Sequence, residues 1–203
     1  MNELSDPKAV RAHYGKVHPL AQTKVLSRID KHARAFIERS PFLVIASADG
    51  SGHADAAPRG DAPGFVAVAD DKTLLIPDRP GNNRVDTLTN VAENANIGLI
   101  FFVPGINETL RINGRAKVTA HPKRLESLWA QGKAPPSALI VTVEEVFFHC
   151  GKALIRSGLW DASRQLKRSA FPTLGQIIAD QIANVDAAEA DVAIEADYKT
   201  NLY

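Results

Sequence analysis

The strongest constraint in this sequence is a rhythm. Between Phe42 and about Cys150 the apolar residues come in short β-rich runs separated by turn residues. FLVIAS is followed by ADGSG, a glycine-rich hairpin signal. HADAAP leads through RGDAPG into FVAVA, and Asp70-Asp71 separates that run from TLLIP, again at hairpin distance. A short helix is expected from about Arg84 to Val91. IGLIFFV and TLRINGRAKVT follow, joined by PGINE, and ALIVTVEEVFFHC is a last long strand. Six or seven strands at this spacing predict an antiparallel sheet, most economically closed into a barrel.

Helices flank these runs, so the fold class is mainly β with flanking helices (α+β). Ser5-Asp6-Pro7 can open a short helix, because proline is tolerated in a first turn. Leu26, Ile29, Ala33, Phe36 and Ile37 then recur at helical spacing up to Pro41. Pro122 to Gln131 reads as a helix with Leu125, Leu128 and Trp129 inward. Near the end, Thr173 and Gln176 have capping-box spacing ahead of Leu174, Ile177, Ile178, Ile182 and Val185. The Ala-, Asp- and Glu-rich stretch beyond Val185 is expected to be frayed or packed on a partner. With no repeat and no linker, residues 1–203 are expected to form one domain. Its parts are a helical extension (1–40), a barrel core (41–160) and a helical segment (161–203).

Composition removes several function classes. A formal charge of +1 gives no general attraction to nucleic acid or to an acidic membrane. The single cysteine, Cys150, cannot build an internal disulfide and suits a reducing compartment. MNELSDPKAV lacks the apolar centre of a signal peptide, and the run from Ile97 to Val103 is too short to span a bilayer. A cytoplasmic protein without nucleic-acid or membrane partners is expected. The six histidines are scattered and make no zinc-protease pair. His149 precedes Cys150 but is expected to point to the opposite face of its strand, so nucleophilic catalysis finds little support. No Gly-x-Gly-x-x-Gly, Walker or Gly-x-Ser-x-Gly pattern occurs.

Basic residues at strand ends are what remains. Arg59 lies in APRGDAPG, immediately after a strand, and Arg111 in TLRINGR. Arg79 and Arg84 flank the turn within PDRPGNNRVDTLTNV, where Asn82 or Asn83 is the expected helix N-cap. A helix start offers free N–H groups and a positive dipole end, so arginines and asparagines beside it could hold a phosphate monoester. The plainer alternative is a polar loop whose arginines pair with Asp61, Asp78 and Asp86.

The ordered set of strand, Pro-x-Arg region, two strands, Asn-Asn-Arg turn, short helix, IGLIFF and RINGRAKV resembles the pyridoxamine 5'-phosphate oxidase-like family. Its members are FMN-binding split β-barrels, and the resemblance covers about residues 40 to 160. It implies an antiparallel six- to seven-stranded split barrel with N- and C-terminal helices, and a homodimer with FMN at the interface. Arg59 matches the family's strand-end arginine, and Asn82, Asn83 and Arg84 occupy its phosphate turn. Asp61, Pro77 and Asp78 would lie along the ribityl chain or ring edge, with Thr109 and Arg111 near the pyrimidine end. Glu108-Thr109 stands where the family has a glutamine. FFHCGKALIRSGLWDASR resembles the C-terminal part of a subgroup, which would bring Trp160 to the flavin from the other subunit. The Arg-x-His substrate motif of genuine pyridoxamine phosphate oxidases is replaced here by Arg156-Ser-Gly-Leu-Trp160. The implied function is therefore an FMN-dependent oxidoreductase acting on a small organic substrate, with NAD(P)H a candidate electron donor, and not vitamin B6 oxidation. The alternatives are a flavin carrier or sensor without turnover, or the same barrel holding deazaflavin or haem. Haem would need His149 or His121 as an axial ligand.

Overall fold

The computed structural model describes residues 3–203. Seven antiparallel strands form one sheet: β1 (Phe42–Ala48), β2 (Ala54–Gly60), β3 (Ala67–Val68), β4 (Thr73–Asp78), β5 (Asn96–Phe102), β6 (Thr109–Thr119) and β7 (Ser137–His149). Their order across the sheet is β2-β1-β5-β6-β7-β4-β3. The two longest strands, β6 and β7, pair at its centre. Alternation selects the inner face: Leu43 and Ile45, Leu99 and Phe101, Leu110 and Ile112, and Leu139, Val141 and Val143 are all buried in one core. Their neighbours on the outer face of β1 and β5 are also apolar, and Phe42 remains 39% exposed.

The β6–β7 register shifts between Asn113 and Gly114. A Cβ at Gly114 would land on the Thr142 carbonyl, so this bulge needs glycine for close backbone approach. The FVAVA run forms only the two-residue β3. β2 extends to Gly60, so Arg59 sits on the strand rather than after it.

Two N-terminal helices, α1 (Pro7–Tyr14) and α2 (Pro19–Thr23), bury no residue. The expected long helix is confined to α3 (Lys31–Ile37), because Asp30 accepts from the His32 and Ala33 amides and starts the helix there. Leu26 exchanges backbone hydrogen bonds with Val146 instead. That end of β7 runs beyond its pairing with β4, so its edge is free to take another strand.

Between β4 and β5 lies α4 (Asp86–Glu93). After β6, α5 (Pro122–Leu125) tightens into a 3₁₀ turn at Glu126–Leu128. Leu125 and Leu128 are buried as expected, but the chain extends at Trp129, which is 59% exposed rather than inward. A further helix, α6 (Lys152–Ser157), follows β7. Thr173 caps α7 (Leu174–Gln181) by accepting from the Gln176 amide. Leu174 and Ile182 are nevertheless exposed. The stretch expected to be frayed or packed on a partner forms α8 (Ala187–Thr200), capped by Asp186. It lies against α7, where the Gly175 amide donates to Asp191. Among the described residues no helix is long and apolar enough to cross a membrane.

Candidate functional site

β2 and β4 stand far apart in the sheet order, yet residues of both line one cleft of about 460 Å³. The sheet therefore curls until these strands face each other without pairing. Arg59 on β2 and Asp78 at the end of β4 meet across the gap, Nη2 to Oδ1, at 3.7 Å. That separation exceeds a hydrogen bond, and among the described residues the one hydrogen bond the Arg59 side chain donates, from Nη1, goes to the Pro58 carbonyl at 2.9 Å. Burial pushes the Asp78 carboxyl above the usual range, partly offset by the Arg59 charge.

The far wall is the loop from Arg79 to Val85. Asn82 does not cap the helix; its Oδ1 accepts from the Arg84 amide at 3.1 Å, an Asx turn inside the loop. Asn83 is not the cap either, since α4 starts three residues later with Val85 as N-cap and no side-chain capping bond. Asn83 and Val85 both take left-handed backbone conformations, φ 57° and 52°, and this corner delays the helix. For β-branched Val85 that conformation is strained. The Asp86 and Thr87 amides open the helix without a protein acceptor among the described residues. Arg84 pairs with Asp86 at 2.9 Å, both largely exposed.

Asp61 lies behind this wall. Its Oδ2 accepts from Arg79 Nε at 2.6 Å, and its Oδ1 from the Tyr203 hydroxyl at 2.7 Å and the Ala62 amide at 2.6 Å. Burial alone would raise this carboxyl, but the hydrogen bonds from Tyr203, Ala62 and Arg79 outweigh it and hold it below its ordinary value. Arg79 also donates from Nη1 to the Leu128 carbonyl at 2.9 Å while lining the cleft. All three Arg–Asp pairs of the polar-loop alternative thus form. They do not fill the cleft: they build its walls.

The other expected site residues lie elsewhere on the chain. Thr109 and Arg111 border a second cleft of about 500 Å³ on the outer face of β1, β5 and β6, beside α6. Arg111 lies over the Phe147 ring, 5.0 Å from its centroid. His149 and Cys150 border the same cleft instead of pointing apart, because β7 ends at His149 and the strand alternation ends with it. Trp160 is beside Phe42, Phe102 and Pro104, and its Nε1 donates to the Ile106 carbonyl at 2.9 Å. One chain therefore gathers Arg59, Pro77, Asp78, Asn82, Asn83 and Arg84 in the first cleft, with Asp61 just behind it, and leaves Thr109, Arg111 and Trp160 outside. Arg79, one of the basic residues expected around the turn, also lines the first cleft, as does Thr87, which the sequence does not mark.

The family model for pyridoxamine 5'-phosphate oxidase matches residues 29–150. The chain belongs to this family. The matched segment contains all seven strands and α4, and ends before α6, Trp160 and the α7–α8 hairpin. Among solved structures, HupZ of Group A Streptococcus is 22% identical with a TM-score of 0.50. The match covers 59% of this chain and 93% of that one. A putative pyridoxamine 5'-phosphate oxidase of Lactobacillus delbrueckii is 17% identical, with a TM-score of 0.47, covering 60% and 95% of the two chains. No curated protein matches. The HupZ likeness, like the sheet itself, belongs to the family's split barrel.

Proposed function

We propose that this chain binds FMN with its phosphate in the β2–β4 cleft and acts as an oxidoreductase on a small organic substrate. The carrying observation is the unspent donor set around that cleft. Arg59 is loosely paired, Asn82 and Asn83 lie in the wall, and the Asp86 and Thr87 amides are free at the start of α4. The Arg84–Asp86 pair is exposed, so turning Arg84 toward a phosphate dianion costs little. A volume of about 460 Å³ suits a cofactor-sized group.

When bound, FMN supplies the hydride and electron chemistry. The chain's residues anchor, orient and shield it. Arg59 and Arg84 balance the phosphate charge, and Pro77 and Asp78 border the ribityl chain. Thr109, Arg111 and Trp160 reach the same ligand only from a second copy, since within one chain they lie on other surfaces. The apolar outer face of β1 and β5, with Phe42 exposed, is the surface through which two-fold pairing would bring them in. NAD(P)H is the proposed electron donor, and Cys150, free and exposed, suits a reducing cytoplasm.

The absorption spectrum of the purified protein, with FMN and riboflavin titrations, tests this reading. Flavin absorbance and tighter binding of FMN support it. A colourless protein that refuses micromolar FMN, or one with haem absorbance, overturns it. Bleaching by NAD(P)H followed by reoxidation with a substrate marks an enzyme, and no turnover marks a carrier. A sedimenting monomer that still holds FMN tightly would remove the shared site.

A further inference from the structure

We propose that Tyr203 is a positioning residue for the cleft wall: it holds Asp61, Asp61 holds Arg79, and Arg79 fixes the loop that faces the phosphate. The proposal rests on the FMN reading for its ligand and on this chain's own contacts for its geometry.

Asp61 and Tyr203 are 142 positions apart, yet the Tyr203 hydroxyl donates to Asp61 Oδ1 at 2.7 Å. The other carboxylate oxygen receives Arg79 Nε at 2.6 Å, so one carboxylate joins Tyr203 to Arg79. The Asp61 and Arg79 side chains are only 3% and 16% exposed, a setting in which charge-assisted bonds are poorly screened. The Arg79 guanidinium also lies 5.9 Å from the centre of the Tyr203 ring. Tyr203 is held at its backbone too, where Lys133 Nζ donates to its carbonyl oxygen at 2.7 Å. The bond to Asp61 shifts the Tyr203 hydroxyl above its ordinary value, so the proton stays on the tyrosine and is donated to the carboxylate.

The hairpin of α7 and α8 gives this contact its meaning. It buries little of its own surface, and among the described residues its hydrogen bonds to the barrel run through Tyr203. After β4, Arg79 stands directly before Pro80 and Gly81, whose backbone makes no hydrogen bond among the described residues. Anchoring Arg79 by Asp61 and the Leu128 carbonyl is what keeps that loop's start in place. A loop so held presents Asn82, Asn83 and Arg84 without paying the ordering entropy on binding.

The test is Tyr203→Phe in the full chain, which keeps the ring and removes only the hydroxyl. FMN and riboflavin dissociation constants are measured beside amide hydrogen exchange across Arg79–Val85. FMN binding should weaken about fivefold and riboflavin less than twofold, with faster exchange in the loop but not in β5. Lys133→Ala, which frees the other end of Tyr203, should reproduce the faster exchange. Unchanged exchange in both variants, or equal losses for both flavins, overturns the proposal. If the unaltered protein binds neither flavin, the FMN reading fails, and the exchange result alone decides whether Tyr203 positions the loop.

Discussion

The β2–β4 cleft and the outer face of β1, β5 and β6 are held by opposite means. In the cleft, three Arg–Asp pairs, an Asx turn and two left-handed residues build the walls. On the outer face, Val44, Ile100 and Phe102 form an apolar floor with Thr109 and Arg111 at its edge. The first surface is charged and shaped within one chain. The second is mostly apolar. Under the proposed function the first takes the charged end of the ligand and the second a flat or apolar one.

The comparison breaks first if charge does not govern the cleft wall. Asp61→Asn leaves Arg79 facing a neutral partner in a nearly buried place and should cost about 3 kcal/mol in denaturant unfolding. The folded-state pKa of Asp61 is depressed, so its contribution is complete above the ordinary value of 3.8 and is lost as pH falls through the lower folded value. The gap between the two proteins should stay constant near neutral pH and shrink below about pH 4. A pH-independent gap would mean that Asp61 acts through packing.

Arg59→Ala should weaken FMN by about 30-fold, roughly 2 kcal/mol for a charge-assisted bond, and leave riboflavin nearly unchanged. Equal losses would move the phosphate out of this cleft. Val85→Gly relieves a strained backbone and should stabilise the fold by about 1 kcal/mol, read as a melting-temperature rise of about 2–4 °C. FMN binding should weaken as the corner loosens. Arg111→Ala removes a cation–π contact of about 0.5–1 kcal/mol and should weaken FMN and riboflavin alike, by roughly threefold. Selectivity for FMN in that loss would erase the distinction between the two surfaces.

Much of this arrangement was legible before the fold was known, for local reasons. β1 and β5–β7 are marked by alternation and by turn residues between them, and Thr173 caps α7 at the position its spacing indicates. The arginines and asparagines of residues 77–91 could be read as a group because they are neighbours in the chain. Errors arose where two local rules competed. Asp30 outcompeted the longer apolar stripe as a helix start, Val85 displaced both asparagines as N-cap, and a 3₁₀ turn released Trp129 to solvent.

The sequence by itself determined most of the strands, the helix cap at Thr173, and the clustering of arginines and asparagines in residues 77–91. These depend on periodicity and on bonds spanning a few residues. Tertiary structure decided that Arg59 faces Asp78, that Thr109 and Arg111 lie away from them, and that Tyr203 reaches Asp61. Those contacts exist only once a seven-stranded sheet has curled. The direction of that curl comes from packing summed over the whole core, which no short stretch of sequence carries.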